Sequence, residues 1–381
     1  MGQIISYITG FWAVPPLLNL PTEIILLIVS HLSSSPESLV ALSLTCKALS
    51  SILDRDAVKL CEKSRRQLLL LLEKDLGSRF FYCSVCCQLH HFSQQWSPIT
   101  ADYLWMPKSC IDYYYNKNFR PTPALFGVPV THPYELNYLY GRLVMNRHLH
   151  GSPKGLPLKS LQHPTLVASW GDGPLWLETP SPRIIGDELF LCITHTLAGE
   201  AATLRDAIDE GRHGICMHVA TDPVDLWNTH RRDVYRMPEL FEPEGSKAQR
   251  PPPFEECRDV PGSCTVCLTD YITTIERAKV REITQCQTCK SSVSIEPPLD
   301  GWSITITAYH QLGRCRDPED WKWVSFLESP LDRILSKSPA KRDMAVYPPG
   351  VIRRKWQTVE SPIEGLKHHK KVWTEILGVL L

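Results

Sequence analysis

The segment from Leu17 to Leu53, LLNLPTEIILLIVSHLSSSPESLVALSLTCKALSSIL, constrains this chain more than any other stretch. Apolar residues recur in it at helical spacing three times. Ile24, Leu27, Ile28 and Leu32 form one stripe, Leu39, Leu42, Cys46 and Leu49 a second, and Ala48, Leu49, Ile52 and Leu53 a third. Pro21 suits a first helical turn, where its missing N–H costs nothing and its φ is preset. Ser35 before Pro36 predicts an N-cap followed by proline at the first helical position. The serine-rich stretch His31–Ser35 predicts a turn between helices. The expectation is a compact three-helix unit.

Such a unit is too small to be stable on its own core, because chains this short bury only about 60% of their unfolded surface. Its first helix is also apolar on more than one side, since Ile24 to Val29 run without a break. A helix apolar all round must be covered all round. Its own neighbours can cover one side, and the other calls for a partner.

The arrangement resembles the F-box, whose pattern begins Leu-Pro-x-Glu and is carried here by Leu20, Pro21 and Glu23. The later helix running into Cys46-Lys47-Ala48-Leu49 also fits. The resemblance implies that a surface built from Leu20, Pro21, Ile24, Ile28 and Leu39 docks onto a Skp-family adaptor. That adaptor would link the chain to a cullin scaffold of a ubiquitin ligase. Beyond this segment the chain is similar to a group of fungal F-box proteins. The similarity is carried by ALSLTCKAL, LLLLLEKDLGSRFFYCSVC, GRLVMNRHLHG, CTVCLTDY and ITAYHQLGRCRDPEDWKW, and spans most of residues 17–327. It implies an adaptor architecture and says nothing about the target.

Length allows two or three domains. Residues 1–16 are apolar and unassigned, 17–54 are the F-box, and 55–77 a linking helix with Leu68–Leu72 in its core and Gly77 as C-cap. Residues 78–245 read as a Pro- and aromatic-rich mixed domain of short strands and loops, with helices near 134–146 and 200–210. Residues 242–263 read as a linker around Pro251, Pro252 and Pro253, and 246–330 as a cysteine-rich, zinc-ribbon-like region. Within it Trp302, Ile304 and Ile306 alternate with Ser303 and Thr305, as a half-buried strand would. From 331 to 381 basic residues outnumber acidic ones, which predicts a solvated tail. The expected class is α+β and loop-rich. Thirty-one prolines in 381 residues exceed the usual roughly 5% and favour irregular structure.

Forty-one basic and forty-one acidic residues leave no net charge, which argues against a protein-wide grip on nucleic acid. The apolar runs Ile24–Val29 and Leu68–Leu72 are far short of the ~20 residues a bilayer span needs. Without the basic start of a secretory signal, a cytoplasmic or nuclear location is expected. Met1-Gly2 followed by Ser6 matches the myristoylation pattern. No basic cluster adds a second membrane signal, and one acyl chain anchors only marginally, so a membrane partner is not expected.

In a reducing compartment, fourteen cysteines read as thiols or metal ligands. Cys264, Cys267, Cys286 and Cys289 form two C-x-x-C knuckles whose spacing suits a tetrahedral zinc site with no open position, structural and not catalytic. Cys315, or the pair Cys216 and His218, could replace one knuckle. Cys83, Cys86 and His90 or His91 make an incomplete second set, for which Cys216 and His218 are also candidates. No G-x-S-x-G, H-E-x-x-H, Walker loop or helix-opening G-x-G-x-x-G is present, so no catalysis is expected. The reading is an F-box adaptor recruiting an unknown protein substrate through residues 93–330. Trp96, Tyr103, Trp105, Tyr113, Tyr114 and Tyr115 in that region are candidate contacts. The alternative is a zinc-stabilised protein- or nucleic-acid-binding module with no ubiquitin-ligase role.

Overall fold

The structure, a computed structural model, describes residues 19–53, 59–93, 107–110, 118–119, 134–162, 165–168, 175–209, 214–216, 218–220, 235–236, 254–280, 283–285, 293–295, 299–327 and 342–358. The chain divides into two units, Met1–Ser93 and Gln94–Leu381. The first is mainly helical and the second mixes helices with sheet, so the fold is α+β as expected. Gly2, the six candidate contact aromatics from Trp96 to Tyr115, Pro251–Pro253, Cys286 and Cys289 lie outside the described residues.

The first unit comprises α1 (Thr22–His31), α2 (Pro36–Thr45), α3 (Lys47–Ile52), α4 (Glu62–Leu76), β1 (Phe80–Cys83) and β2 (Gln88–His91). The three expected helices and the turn before Pro36 are present. Pro21 stands one position outside α1, as its N-cap, with φ −54° and ψ 145°. Ser35 caps α2 by position, with Pro36 in the first turn, although its side chain makes no capping bond. A single extended residue, Cys46, separates α2 from α3, and its sulfur accepts the Leu49 N–H at 3.4 Å. The core of the three short helices is Ile25, Val40, Leu49 and Leu53, and the rest of the unit adds Leu68, Phe81, Tyr82 and Phe92. Ile25, not the Ile24–Leu27–Ile28 stripe, is the buried position of α1.

In α4 the buried residues are Ser64, Leu68 and Glu73, while Leu71 is exposed, so the leucine run is only partly core. Gly77 follows it with φ −64°, so the left-handed cap that favours glycine is not used. The buried Glu73 carboxylate accepts the Tyr82 N–H at 2.9 Å and ties α4 to β1. β1 and β2 pair antiparallel from Phe80↔His91 to Cys83↔Gln88.

The second unit runs β3 (Asn118–Phe119), β4 (Leu136–Asn137), α5 (Tyr138–His150), β5 (Thr165–Ala168), β6 (Leu175–Ile185), β7 (Glu188–Gly199) and α6 (Ala201–Asp209). It continues with β8 (Gly214–Cys216), β9 (Val219–Ala220), β10 (Tyr235–Arg236), β11 (Cys257–Ser263) and β12 (Thr269–Val280). The last elements are β13 (Ile283–Gln285), β14 (Val293–Ile295), β15 (Leu299–Gly313), α7 (Trp321–Val324) and α8 (Val351–Thr358). The two expected helices are α5, which begins and ends four residues later than expected, and α6, which matches to within one residue at each end.

A six-stranded antiparallel sheet in the order β11-β12-β15-β7-β6-β5 organises this unit. It corrects two expectations. Strands from both sides of residue 245 share it, because β15 finds its backbone partners on β7 from Trp302↔Gly199 to Gly313↔Leu189, so 78–245 and 246–330 are not separate domains. Part of the expected linker is the edge strand β11, where the missing N–H of Pro261 is tolerated. The alternation read at Trp302, Ile304 and Ile306 holds: all three are buried and Ser303 and Thr305 are not.

One face of the sheet lines up Thr273, Ile306, His195 and Glu178 across β12, β15, β7 and β6. His195 and Glu178 are fully buried with Nδ1 and Oε1 3.4 Å apart, and the other Glu178 oxygen accepts the Tyr134 N–H at 2.6 Å. The opposite face lines up Asp270, Tyr309 and Cys192 and is covered by α8. The Trp356 ring lies 6.1 Å from that of Tyr309, with the Arg183 guanidinium 4.3 Å over it. Residues 342–358 were expected in a solvated tail. They are part of the fold, because Ile352 and Trp356 bury their side chains on the sheet.

Candidate functional site

Helix α1 places its apolar run at the surface. Leu20 is 38% exposed, Ile24 42%, Leu26 49%, Leu27 54% and, from α2, Leu44 43%. Pro21 is exposed as well, while Ile28 and Leu39 are half-buried. Leu26, Leu27 and Leu44 were not among the residues that the sequence resemblance assigned to the docking surface. For Leu26 and Leu27 the signal that could have found them is the unbroken run itself, since one helix cannot bury every side of such a run against its own neighbours. Contiguous exposed apolar surface marks an interaction site more often than chance exposure does.

Among the described residues, two Cys/His clusters have the proximity a metal ion needs. The first sits on the β1–β2 hairpin. Cys83 ends β1, Cys86 lies in the turn, and His90 points from β2 back to them, with Cys86 Sγ and His90 Nε2 3.0 Å apart. Their ligand atoms all lie within 4.8 Å of one another. Cys87 closes the turn with φ 51°, and His91 points the other way and is exposed. Burial lowers the pKa of His90, which favours the neutral ring that a metal requires.

The second cluster joins two distant turns of the second unit. Cys216 and His218 lie in the β8–β9 turn, and Cys264 and Cys267 in the turn from β11 to β12. All four side chains are buried, at 1%, 3%, 0% and 0% exposure, and their ligand atoms lie within 4.8 Å of one another. The second turn is shaped around a sulfur. Cys264 Sγ accepts the N–H groups of Val266 at 3.3 Å and Cys267 at 3.4 Å, while Cys264 N–H donates to Thr269 O at 2.9 Å. Cys267 Sγ lies 3.1 Å from Thr269 Oγ1, which is 3.0 Å from His310 Nδ1.

Burial pushes the Cys216 and Cys267 thiols well above their usual range. At Cys264 burial also pushes upward, but bonding from Cys216, Cys267 and His218 overrides it and holds this thiol well below that range. Cys216 and His218 therefore belong with Cys264 and Cys267 and not with the hairpin cluster. Cys315, the other candidate ligand, lies apart from both, buried beside Gly141 of α5, and burial raises its pKa.

Around this turn a second network closes. Arg342 donates to Tyr347 O, Cys264 O, Thr269 O, Pro348 O and Asp270 Oδ1, at 2.7 to 3.0 Å. Asp270 Oδ1 also accepts from Ser263 Oγ at 2.7 Å. Its Oδ2 accepts the N–H groups of Ile352 and Arg353 at the start of α8, at 2.8 and 3.1 Å. All five guanidinium N–H donors and four carboxylate acceptor positions are thus used inside the protein.

Among the described residues no helix is long and apolar enough to cross a membrane. No curated protein and no solved structure matches the chain. The F-box-like family model matches residues 17–59, the stretch that holds α1, α2 and α3 with their exposed apolar run. F-box-like domains serve generally in ubiquitin-ligase adaptors, and this chain carries an F-box-like domain at residues 17–59.

Proposed function

We propose that this protein is an F-box substrate-recognition adaptor that binds a Skp-family protein through the surface around α1 and, by way of a cullin scaffold, brings a target to ubiquitin transfer. The observation that carries the reading is the exposed run Leu20, Ile24, Leu26 and Leu27 inside the segment that matches the F-box-like family. A helix that buries only Ile25 of its apolar residues has a face that a partner must cover. The second unit is free to hold the target, since the helical unit is too small for two interfaces of about 800 Å² each. The chain itself would catalyse nothing. Its contribution is proximity, raising the effective concentration of target lysines near the charged conjugating enzyme. It would act in the cytoplasm or nucleus, and zinc would be structural, stabilising the recruiting unit.

The test is co-purification. Replacing Leu20 and Pro21 together with alanine is expected to abolish recovery of a co-expressed Skp-family adaptor, with the circular dichroism of the chain unchanged. Full recovery by the folded double variant overturns the reading and leaves a metal-stabilised binding module in its place.

A further inference from the structure

We propose that Cys216, His218, Cys264 and Cys267 together bind one zinc ion in a closed tetrahedral site. This rests on the structural-zinc half of the proposed function and is independent of its adaptor half. It also departs from the four-cysteine ribbon that the C-x-x-C spacing suggests, since two of the ligands come from a turn far away in sequence.

Geometry comes first. Tetrahedral zinc, with sulfur at ~2.3 Å and nitrogen at ~2.0 Å, sets its ligand atoms about 3.5–3.8 Å apart. The four ligand atoms here already lie within 4.8 Å of one another, so closing on an ion needs only small side-chain adjustments. The donor set comes second. Three thiols and one imidazole, without a carboxylate, suit a borderline-soft ion such as zinc and disfavour magnesium or calcium. Four protein ligands leave no position for water, so the ion would hold structure and not activate a reactant.

The third observation is His218 itself. It is 3% exposed, and among the described residues neither ring nitrogen makes a well-formed hydrogen bond; the groups it faces are the sulfurs of the cluster. Burying an imidazole without partners is costly. Its ring faces three buried sulfurs, and a cation among them supplies what a hydrogen bond does not. The fourth is the backbone of the Cys264–Thr269 turn. Two N–H groups already aim at Cys264 Sγ, as they would at a metal-bound thiolate.

The site also has an outer layer. Arg342 clasps the carbonyls of Cys264 and Thr269 and, through Asp270, the first turn of α8. The ion would therefore pin three segments at once, 214–220, 264–269 and 342–358. Its loss should loosen all three, including a helix that carries no ligand.

The experiment uses the full chain purified without chelator, with zinc measured by elemental mass spectrometry. Cys216→Ser and His218→Ala are each expected to lose about one zinc per chain relative to the parent. Cys286→Ser with Cys289→Ser is expected to lose none, and Cys83→Ser with Cys86→Ser is expected to leave this equivalent in place. His218→Cys is expected to keep the metal and, after exchange for cobalt, to strengthen the sulfur-to-cobalt absorption by adding a fourth sulfur. If Cys216→Ser and His218→Ala keep full zinc while the Cys286/Cys289 variant loses it, this ligand set is wrong and structural zinc stands. A parent chain with no zinc, or with iron in its place, overturns both. Should the ligand variants fail to fold, the parent is stripped with chelator and refilled with zinc under hydrogen exchange. Recovery of protection in 214–220, 264–269 and 342–358 together supports the site, and recovery confined to the 264–269 side overturns it.

Discussion

Helix α1 of the first unit carries an unbroken apolar run and buries one residue of it, Ile25, whereas strand β12 of the second unit carries a carboxylate, Asp270, and buries it almost completely. In each case a side chain sits where elementary solvation would not put it. The resolution differs. The first unit leaves apolar surface outside its core, a state that is favourable only when something else covers it. The second brings charge inside and satisfies every position around it with Arg342, Ser263 and the start of α8. On the proposed reading a partner completes the first unit, whereas the second satisfies its buried charge with its own residues.

The sharpest way to break that contrast is to remove Arg342. Arg342→Met keeps most of the side-chain volume and leaves Asp270 buried beside an apolar chain, which should cost about 3–5 kcal/mol. Every tryptophan after Trp12 lies in the second unit, so tryptophan fluorescence in a denaturant titration reads this loss directly. Adaptor binding by the first unit should persist at denaturant concentrations where the second unit of the variant has unfolded. Adding Asp270→Asn should recover part of the loss by removing the stranded charge. A change below about 1 kcal/mol would mean that water reaches Asp270, and the second unit would no longer count as self-contained.

A pair of leucines tests the other side. Leu49 is 1% exposed and Leu27 is 54% exposed. Leu49→Ala should destabilise the first unit by about 2–4 kcal/mol through lost contacts and a residual cavity. Leu27→Ser should change stability by no more than about 0.5 kcal/mol. It should still weaken a Skp-family adaptor at least about tenfold in calorimetry. If Leu27→Ser destabilises the isolated chain as much as Leu49→Ala does, the exposed face is core, and the comparison fails.

The same contrast explains what could be read from the sequence. The three helices of the first unit were legible because local rules place them: 3.6-residue periodicity, a serine-rich turn and Pro36 at the first helical position. The inward side of α1 was not, because a helix apolar all round gives no periodic signal to choose Ile25 over Ile24. In the second unit β15 was legible from Trp302, Ile304 and Ile306. Strand β6, which pairs with β7, was obscured by Pro180 and Pro182, which sit in register with Ile193 and Leu191. The metal cluster was half legible. Cys264 and Cys267 announce a turn by their spacing, but Cys216 and His218 have one residue between them, a weak pattern, and only the tertiary fold brings them to the other pair. Helix α8 is short and its anchor, Asp270, lies far back in the chain, so residues 342–358 read as a tail until the tertiary contact is seen.

The smallest expected effect isolates burial as the cause. Glu256 and Arg277 also form an ion pair, at 3.3 Å, but their side chains are 61% and 78% exposed. Glu256 immediately precedes β11 and Arg277 lies on β12, the strand pair that also holds Ser263 and Asp270. Glu256→Gln removes one charge and keeps the shape. Solvent and salt screen such a pair, so the change should stay within about 0.5 kcal/mol and shrink further at high ionic strength. Arg277 retains its position 5.4 Å over the Trp302 ring in that variant, so packing is not disturbed along with the charge. Measured beside Arg342→Met in the same titration, it compares an exposed ion pair with a buried one, each with one member on β12. Equal effects would show that the strand pair tolerates no charge change at all. An effect several-fold smaller for Glu256→Gln assigns the cost at Arg342 to the enclosed carboxylate.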